Sequence, residues 1–314
     1  MSNLLLYVIT VLVWGSTWIA IEAQLGSVAP EVSVFYRYVL ASGALFAWSL
    51  LRGMRLRFDR SAHLYFGLLG LLLFSLNYVL TYYAQEHITS ALTAIAFSTM
   101  LWMNIFNARL FFGTRAGSAM TGGSMIGILG VTVLFLPEIG DVSLENATLY
   151  GTGLALVGAF VASLGNMVSQ AAQKRGLPII QSNAWGMFYG ALLTAIFALL
   201  QGIPFAFDWS AAYVVSLAYL AIFGSIIGFG AYLTLLGRIG ASKAGYTMVM
   251  FPIVALVISA IAGETVLTWN MLAGVALVLA GNVLVLRARG RVTSGRQSLP
   301  LAGRFGRYVV QRPR

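Results

Sequence analysis

The sequence predicts an all-α integral membrane protein: ten transmembrane helices forming two inverted five-helix repeats around a central cavity. Three observations predict it. Hydrophobic residues make up 59% of the 314 and charged ones only 9%. An ordinary soluble domain carries about 25% charge, and so few charges cannot cover a water-facing globule of this size. The apolar residues run in stretches of about 20 without dyad alternation, the length a helix needs to cross a bilayer. Charge then sorts by loop. With the N-terminus inside, Arg52, Arg55, Arg57, Arg60, Arg109, Arg115, Lys174, Arg175, Arg238, Lys243 and the tail from Arg287 fall on the inner side. Glu22, Glu31, Glu86, Glu138, Asp141, Glu145, Asp208 and Glu264 fall on the outer side. Adding or removing one span scrambles this order, so the count is even and both termini are cytoplasmic. The net charge of +10 follows from the same rule, and no nucleic-acid partner is expected.

Taken in order, span one covers 3–23. Met1-Ser2-Asn3 gives it no basic n-region and no small-residue cleavage site follows, so it reads as a retained helix. Its Thr10, Trp14, Thr17 and Trp18 share one face. Span two, 31–51, holds Arg37. Span three, 62–83, carries Asn77, Tyr78, Thr81, Tyr82 and Gln85 on one helical face. Span four, 89–110, adds Ser98 and Trp102, and span five covers 118–136. Span six, 150–173, repeats a polar stripe with Ser163, Asn166, Gln170 and Gln173, and span seven, 183–202, adds Trp185 and Tyr189. Spans eight to ten cover 212–236, 244–262 and 269–287, and the basic, Gly- and Ser-containing segment 289–314 reads as a disordered tail.

The segment from Ser61 to Leu136 aligns with Ser210 to Leu286 at an offset near 150, pairing Tyr83 with Tyr232 and the glycines 123 and 130 with 274 and 281. Residues 1–149 and 150–288 are therefore expected to be two copies. Five spans per copy force opposite insertion, and such repeats place a substrate site near the midplane. Gly186 and Gly190, Gly224 and Gly228, and Gly123 and Gly127 have the spacing that lets helix backbones approach closely.

Polar groups inside lipid-spanning helices are costly and face the protein interior. The stripes converge on an expected substrate cavity built from Trp14, Trp18, Tyr78, Tyr82, Ser98, Trp102, Asn166, Gln170, Trp185 and Tyr189. Arg37 is either the ion-pair partner of Glu22 or Glu31, or a forked donor to a substrate carboxylate. Pro252, two turns after Gly245, marks either a static kink or a hinge in span nine. The chain has no cysteine and only two histidines, so no disulfide, metal or cofactor site is expected. Paired carboxylates, HExxH, a Ser-His-Asp set and a P-loop are missing from the sequence, which argues against an enzyme.

Trp14-Gly15-Ser16-Thr17-Trp18, Tyr36-Arg37-Tyr38 and the Gly263-Glu264 turn resemble the motifs of EamA-type members of the drug/metabolite transporter superfamily, over residues 1 to about 288. The aromatic content is similar to that of the family's bacterial aromatic amino acid exporters. The resemblance implies an inner-membrane exporter of amino acids and small metabolites, working by alternating access, with helices four and nine bent around the cavity. Thr114 stands where the family has Glu, and span four has no counterpart of Pro252. The expected partners are the bilayer and a small-molecule substrate, foremost aromatic and other neutral amino acids. The alternatives are efflux of drugs or purine-like metabolites, and a receptor or assembly subunit without transport.

Overall fold

The computed structural model describes residues 1–88, 90–114, 116–134, 146–261 and 268–287, and every regular element among them is a helix. Six helices are long and apolar enough to cross a membrane. Helix α1 (Asn3–Glu22) starts where Ser2 Oγ accepts from Leu5 N at 3.2 Å. Helix α2 (Pro30–Leu51) has proline in its first turn, where its missing N–H costs nothing. Helix α3 (Arg60–Gln85) is capped by Asp59 and contains a π-helical stretch, Leu72–Leu76. The broken helix of span four gives α4 (Ser90–Ser98) and α5 (Met100–Phe112). Next come α6 (Ser118–Leu134), α7 (Asn146–Lys174) and α8 (Ile179–Leu200). Helix α9 (Ala211–Ile239) is capped by Ser210 and has its own π-helical stretch, Leu220–Ile227. The chain continues as α10 (Ala241–Ala244), α11 (Thr247–Ile261) and α12 (Trp269–Arg287).

Two expected spans differ from their prediction. The fourth is interrupted at Thr99, whose hydroxyl donates to the Ala96 carbonyl at 2.6 Å in place of the regular ladder. The ninth is preceded by Gly240, at φ 84° and ψ 154°, and breaks again in the turn at Gly245 and Tyr246. Gly245 therefore coincides with a helix break, whereas Pro252 lies inside the continuous α11. The Gly263-Glu264 turn, Arg115, the acids Glu138, Asp141 and Glu145, and the tail from 289 lie outside the described residues.

The burial pattern inverts that of a soluble protein. Leu50, Leu51, Phe106, Leu199, Leu200 and Val215 stand on the surface, while Gln24, Glu31, Arg37, Asn77, Asn104, Asn107, Asn166 and Asn183 are buried. Lipid replaces water as the solvent, so apolar side chains gain nothing by hiding and polar ones must.

Helix α1 packs on α9 and α11, and α7 packs on α3, α4 and α5. Helix α2 lies along α8 and α9, and α8 also meets α3. Helices α6 and α12 form the tightest pair. A Cβ added at Gly123 would come within 2.9 Å of the Gly281 carbonyl oxygen, and one at Gly130 within 2.8 Å of that of Gly274. Only glycine lets these backbones touch.

Candidate functional site

Both halves of the chain line one central cavity of about 50 Å³. Trp14, Thr17 and Trp18 enter from α1; Asn77, Tyr78 and Thr81 from α3; Phe97 and Met100 from α4 and α5. Asn166 comes from α7, Phe229 and Tyr232 from α9, and Met248 and Phe251 from α11. The space admits a few waters and is too small for an amino acid.

Its walls are interlocked rings. Trp14 meets Phe229 edge-on at 4.8 Å between centroids, Tyr232 at 4.9 Å and Phe251 at 5.9 Å, and Trp18 meets Phe97 at 5.3 Å. Such contacts add of order 1 kcal/mol each beyond burial. The π-helical stretch of α9 anchors this wall. It frees the Gly224 carbonyl to accept from Trp14 Nε1 at 2.9 Å. It also turns Ser225 Oγ toward Arg37 Nε at 2.8 Å. A π-turn widens the helix and leaves carbonyls off the regular ladder, which is why such turns gather at working sites.

The polar groups are unevenly satisfied. Asn166 Nδ2 donates to Tyr232 OH at 2.9 Å and to Asn104 Oδ1 at 3.2 Å, tying α7 to α9 and α5. Trp18 Nε1 and Asn77 Oδ1 are buried at the cavity with no partner. Behind Tyr78, the Arg37 guanidinium lies 4.4 Å from that ring's centroid, with Nη2 3.5 Å from the Tyr78 hydroxyl. Arg37 is 1% exposed and its Nη1 has no partner. Among the described residues none of its hydrogen-bond partners is acidic. Glu31 instead accepts from Tyr83, and Glu22 from Ser90. The ion pair considered for Arg37 is therefore not formed with either acid. A buried cation without a counter-charge is an open invitation to an anion.

The other expected site residues are dispersed. Tyr82 is fully buried next to Arg37 and donates to Gln24 Oε1 at 2.6 Å rather than lining the cavity. Ser98 is buried at the end of α4, and Trp102 is half-buried on α5; neither lines the cavity. Gln170 lines a separate hollow of about 440 Å³ with Gln173, Lys174, Thr234 and Arg238. Trp185 and Tyr189 leave the centre altogether. Trp185 Nε1 donates to the Leu56 carbonyl at 3.2 Å, and the Tyr189 hydroxyl lies 2.9 Å from His63 Nδ1, so the pair clamps the loop before α3 and that helix's first turn. Their spacing on α8 is helical, and nothing in that spacing says which neighbour the face meets. Phe97, Met100, Phe229, Tyr232, Met248 and Phe251 were not expected at the cavity, whereas Thr17 lies on the face of span one already marked by Trp14 and Trp18. Tyr232 carried a signal in its repeat match to Tyr83; the other five are apolar and silent. Among the described residues no three His, Asp or Glu side chains gather as a metal would require.

The chain matches the EamA-like transporter family over residues 1–136 and 149–287. It is similar to YoaV, an uncharacterized transporter of Bacillus subtilis, at 25% identity over 90% of this chain and 96% of YoaV. PagO of Salmonella typhimurium is 24% identical over 93% of this chain and 95% of its own. YedA, an uncharacterized inner membrane transporter of Escherichia coli, is 27% identical over 81% of each. A solved crystal structure shares the fold, with a TM-score of 0.74 at 18% identity over 90% of this chain and 96% of its own. With membrane-length helices around an aromatic-walled cavity, and a family match over nearly its whole helical length, the chain belongs to the EamA-like transporter family and is a multi-pass membrane transporter rather than an enzyme.

Proposed function

We propose that the protein exports amino acids, foremost aromatic and other neutral ones, across the bacterial inner membrane by alternating access. Ten spans form two inverted copies, residues 1–149 and 150–288, with both termini cytoplasmic. Reciprocal packing supports the inverted copies. If Gly123 and Gly130 correspond to Gly274 and Gly281, a two-fold axis turns the contact 123–281 into 130–274, and both contacts occur. The contact of α1 with α9 and α11 is likewise matched by that of α7 with α3, α4 and α5. The π-helical stretches of α3 and α9 fall at corresponding places. The inner-membrane location draws on the printed name of YedA and on the distribution of Lys and Arg.

The observation that carries the substrate class is the buried Arg37, free of acidic partners and stacked on a cavity tyrosine. Arg37 pairs with the carboxylate, while Trp18 Nε1 and Asn77 Oδ1 supply a donor and an acceptor beside it. The rings of Trp14, Trp18 and Phe229 receive the side chain. The cavity opens by bending at the breaks around Thr99 and Gly245, which corresponds to alternating access.

Purified protein in liposomes is expected to exchange labelled phenylalanine for unlabelled phenylalanine across the membrane. Monodisperse protein in sealed vesicles that exchanges no amino acid overturns the substrate assignment. Competition by lipophilic drugs or purines without competition by amino acids favours multidrug or purine-like efflux instead, and binding without flux favours a receptor.

A further inference from the structure

Among the described residues, Glu31 is the one buried acid. It stands in the first turn of α2 with no exposed surface. Its Oε1 accepts the Tyr83 hydroxyl of α3, and its Oε2 is sealed from solvent without any partner. An acid in a helix's first turn is favoured by the macrodipole, but that role asks for neither burial nor an orphan oxygen. An ionised carboxylate has room for about four hydrogen bonds; this one receives a single bond and keeps one oxygen empty.

The surroundings tie the same end of the molecule shut. Tyr82 donates to Gln24 at 2.6 Å, joining α3 to the segment after α1. Ser90 donates to Glu22 at 2.9 Å and accepts from Gln85 at 3.0 Å, joining α4 to α1 and α3. Tyr83 and Glu31 join α3 to α2. These four bonds bridge the ends of the helices that must part for the cavity to open on this side.

We propose that Glu31 is a proton-binding site that gates this end of the transporter. The proton comes from the outer medium, reaches Oε2 when the Tyr83–Glu31 bond breaks transiently and admits water, and returns by the same route when the medium turns alkaline. Protonation removes the charge assistance from the Tyr83–Glu31 bond, and charge-assisted bonds are roughly twice as strong as neutral ones. The latch weakens, the outer gate opens more often, and efflux speeds up as the outer medium is acidified. Other charged or titratable groups facing this site are Tyr83 and Glu86 at the end of α3 with His87 just after it, Tyr150 of α7 against His87 and Tyr83, Glu22 at the end of α1 and Arg37 further along α2. Tyr213 of α9 holds Ser33 at 3.0 Å, one turn from Glu31. The half of α8 alongside contributes no ionisable residue. The inference rests on the outward orientation of this end, proposed above.

Two measurements test it, and one needs no substrate. The chain lacks cysteine, so spin labels at Ala23→Cys and His87→Cys report the spacing across the outer gate. Acidifying the medium is expected to shift the distance distribution toward longer spacings in the wild type. Glu31→Gln, which keeps an acceptor for Tyr83, is expected to show the longer spacings at every pH. In phenylalanine-loaded liposomes held at constant internal pH, acidification is expected to speed wild-type efflux about fivefold, which corresponds to the difference of about 1 kcal/mol between a charge-assisted and a neutral bond. Glu31→Gln and Tyr83→Phe are expected to be fast and indifferent to outer pH, and Glu86→Gln to keep the wild-type response. A wild-type spacing that ignores outer pH, or a Glu31→Gln protein that keeps the full response, overturns the proposal. If no amino acid moves at all, the substrate reading fails while the spacing still decides the role of Glu31.

Discussion

The two ends of the helix bundle solve opposite problems. The acidic end is tied by four side-chain hydrogen bonds and buries Glu31 and Gln24 completely. The basic end holds a hollow of about 440 Å³ between α7, α8 and α9, rimmed by Lys174 and Arg238. The central cavity between them is nearly filled, at about 50 Å³. At the acidic end the bonds join the helix ends themselves, whereas at the basic end a hollow reaches inward between the helices. At the basic end the Asn104–Asn166–Tyr232 cluster separates hollow from cavity, and it sits beside the chain break at Gly245. One end is therefore held by polar bonds between helix ends, and the other lies beside a break in the chain at a glycine.

The largest test of this contrast is access. A cysteine at Thr234 in the hollow is expected to react with a soluble maleimide on the order of a hundredfold faster than one at Gln24. Equal labelling rates, read by mass spectrometry, erase the distinction between the two ends. Next comes Arg37, which connects the acidic end to the cavity. Arg37→Met is expected to lower phenylalanine exchange about a hundredfold, because a charge-assisted contact worth about 3 kcal/mol is lost. Its thermal midpoint in detergent is expected to stay level or rise, since a buried cation without a counter-charge is relieved. A steep fall in the midpoint would reduce Arg37 to a structural element.

Smaller effects separate neighbours within the cavity. Trp14→Phe strands the Gly224 carbonyl and is expected to cost about 1–3 kcal/mol of stability. Trp18→Phe removes an N–H that bonds to nothing and is expected to cost under about 1 kcal/mol while raising the substrate KM. Equal losses in thermal unfolding would show that Trp18 is also tied. The smallest effect is expected at the aromatic clamp: Trp185→Phe breaks the bond to Leu56, costs about 1 kcal/mol and leaves KM unchanged. A changed KM would return Trp185 to the substrate path.

Much of this architecture is legible in the sequence because lipid imposes simple rules. Helices must be long and apolar, and their polar residues must turn inward; the stripes of α1, α3 and α7 include Trp14, Trp18, Tyr78 and Asn166, which line one cavity. Arg37 was visible as an outlier, but its lack of a counter-charge was not, since Glu31 lies only six positions away. The direction of each carboxylate is decided by a hydroxyl from another helix, Tyr83 for Glu31 and Ser90 for Glu22. The dispersal of Trp185 and Tyr189 was equally hidden, because a helical face is written in one strand of sequence and its neighbour in another. The break at Thr99 had no glycine or proline to announce it.

The bonds of α1 and α2 to α9 also govern how the protein is made. Trp14 meets its acceptor 210 positions downstream, and Arg37 meets Ser225 188 positions downstream. When the first helices leave the ribosome, their buried indole and guanidinium face a translocon and lipid without those acceptors. The nascent chain must keep them hydrated or held until α9 emerges. The N-terminal half is thus an unfinished product on its own, and its maturation is timed by the synthesis of the second.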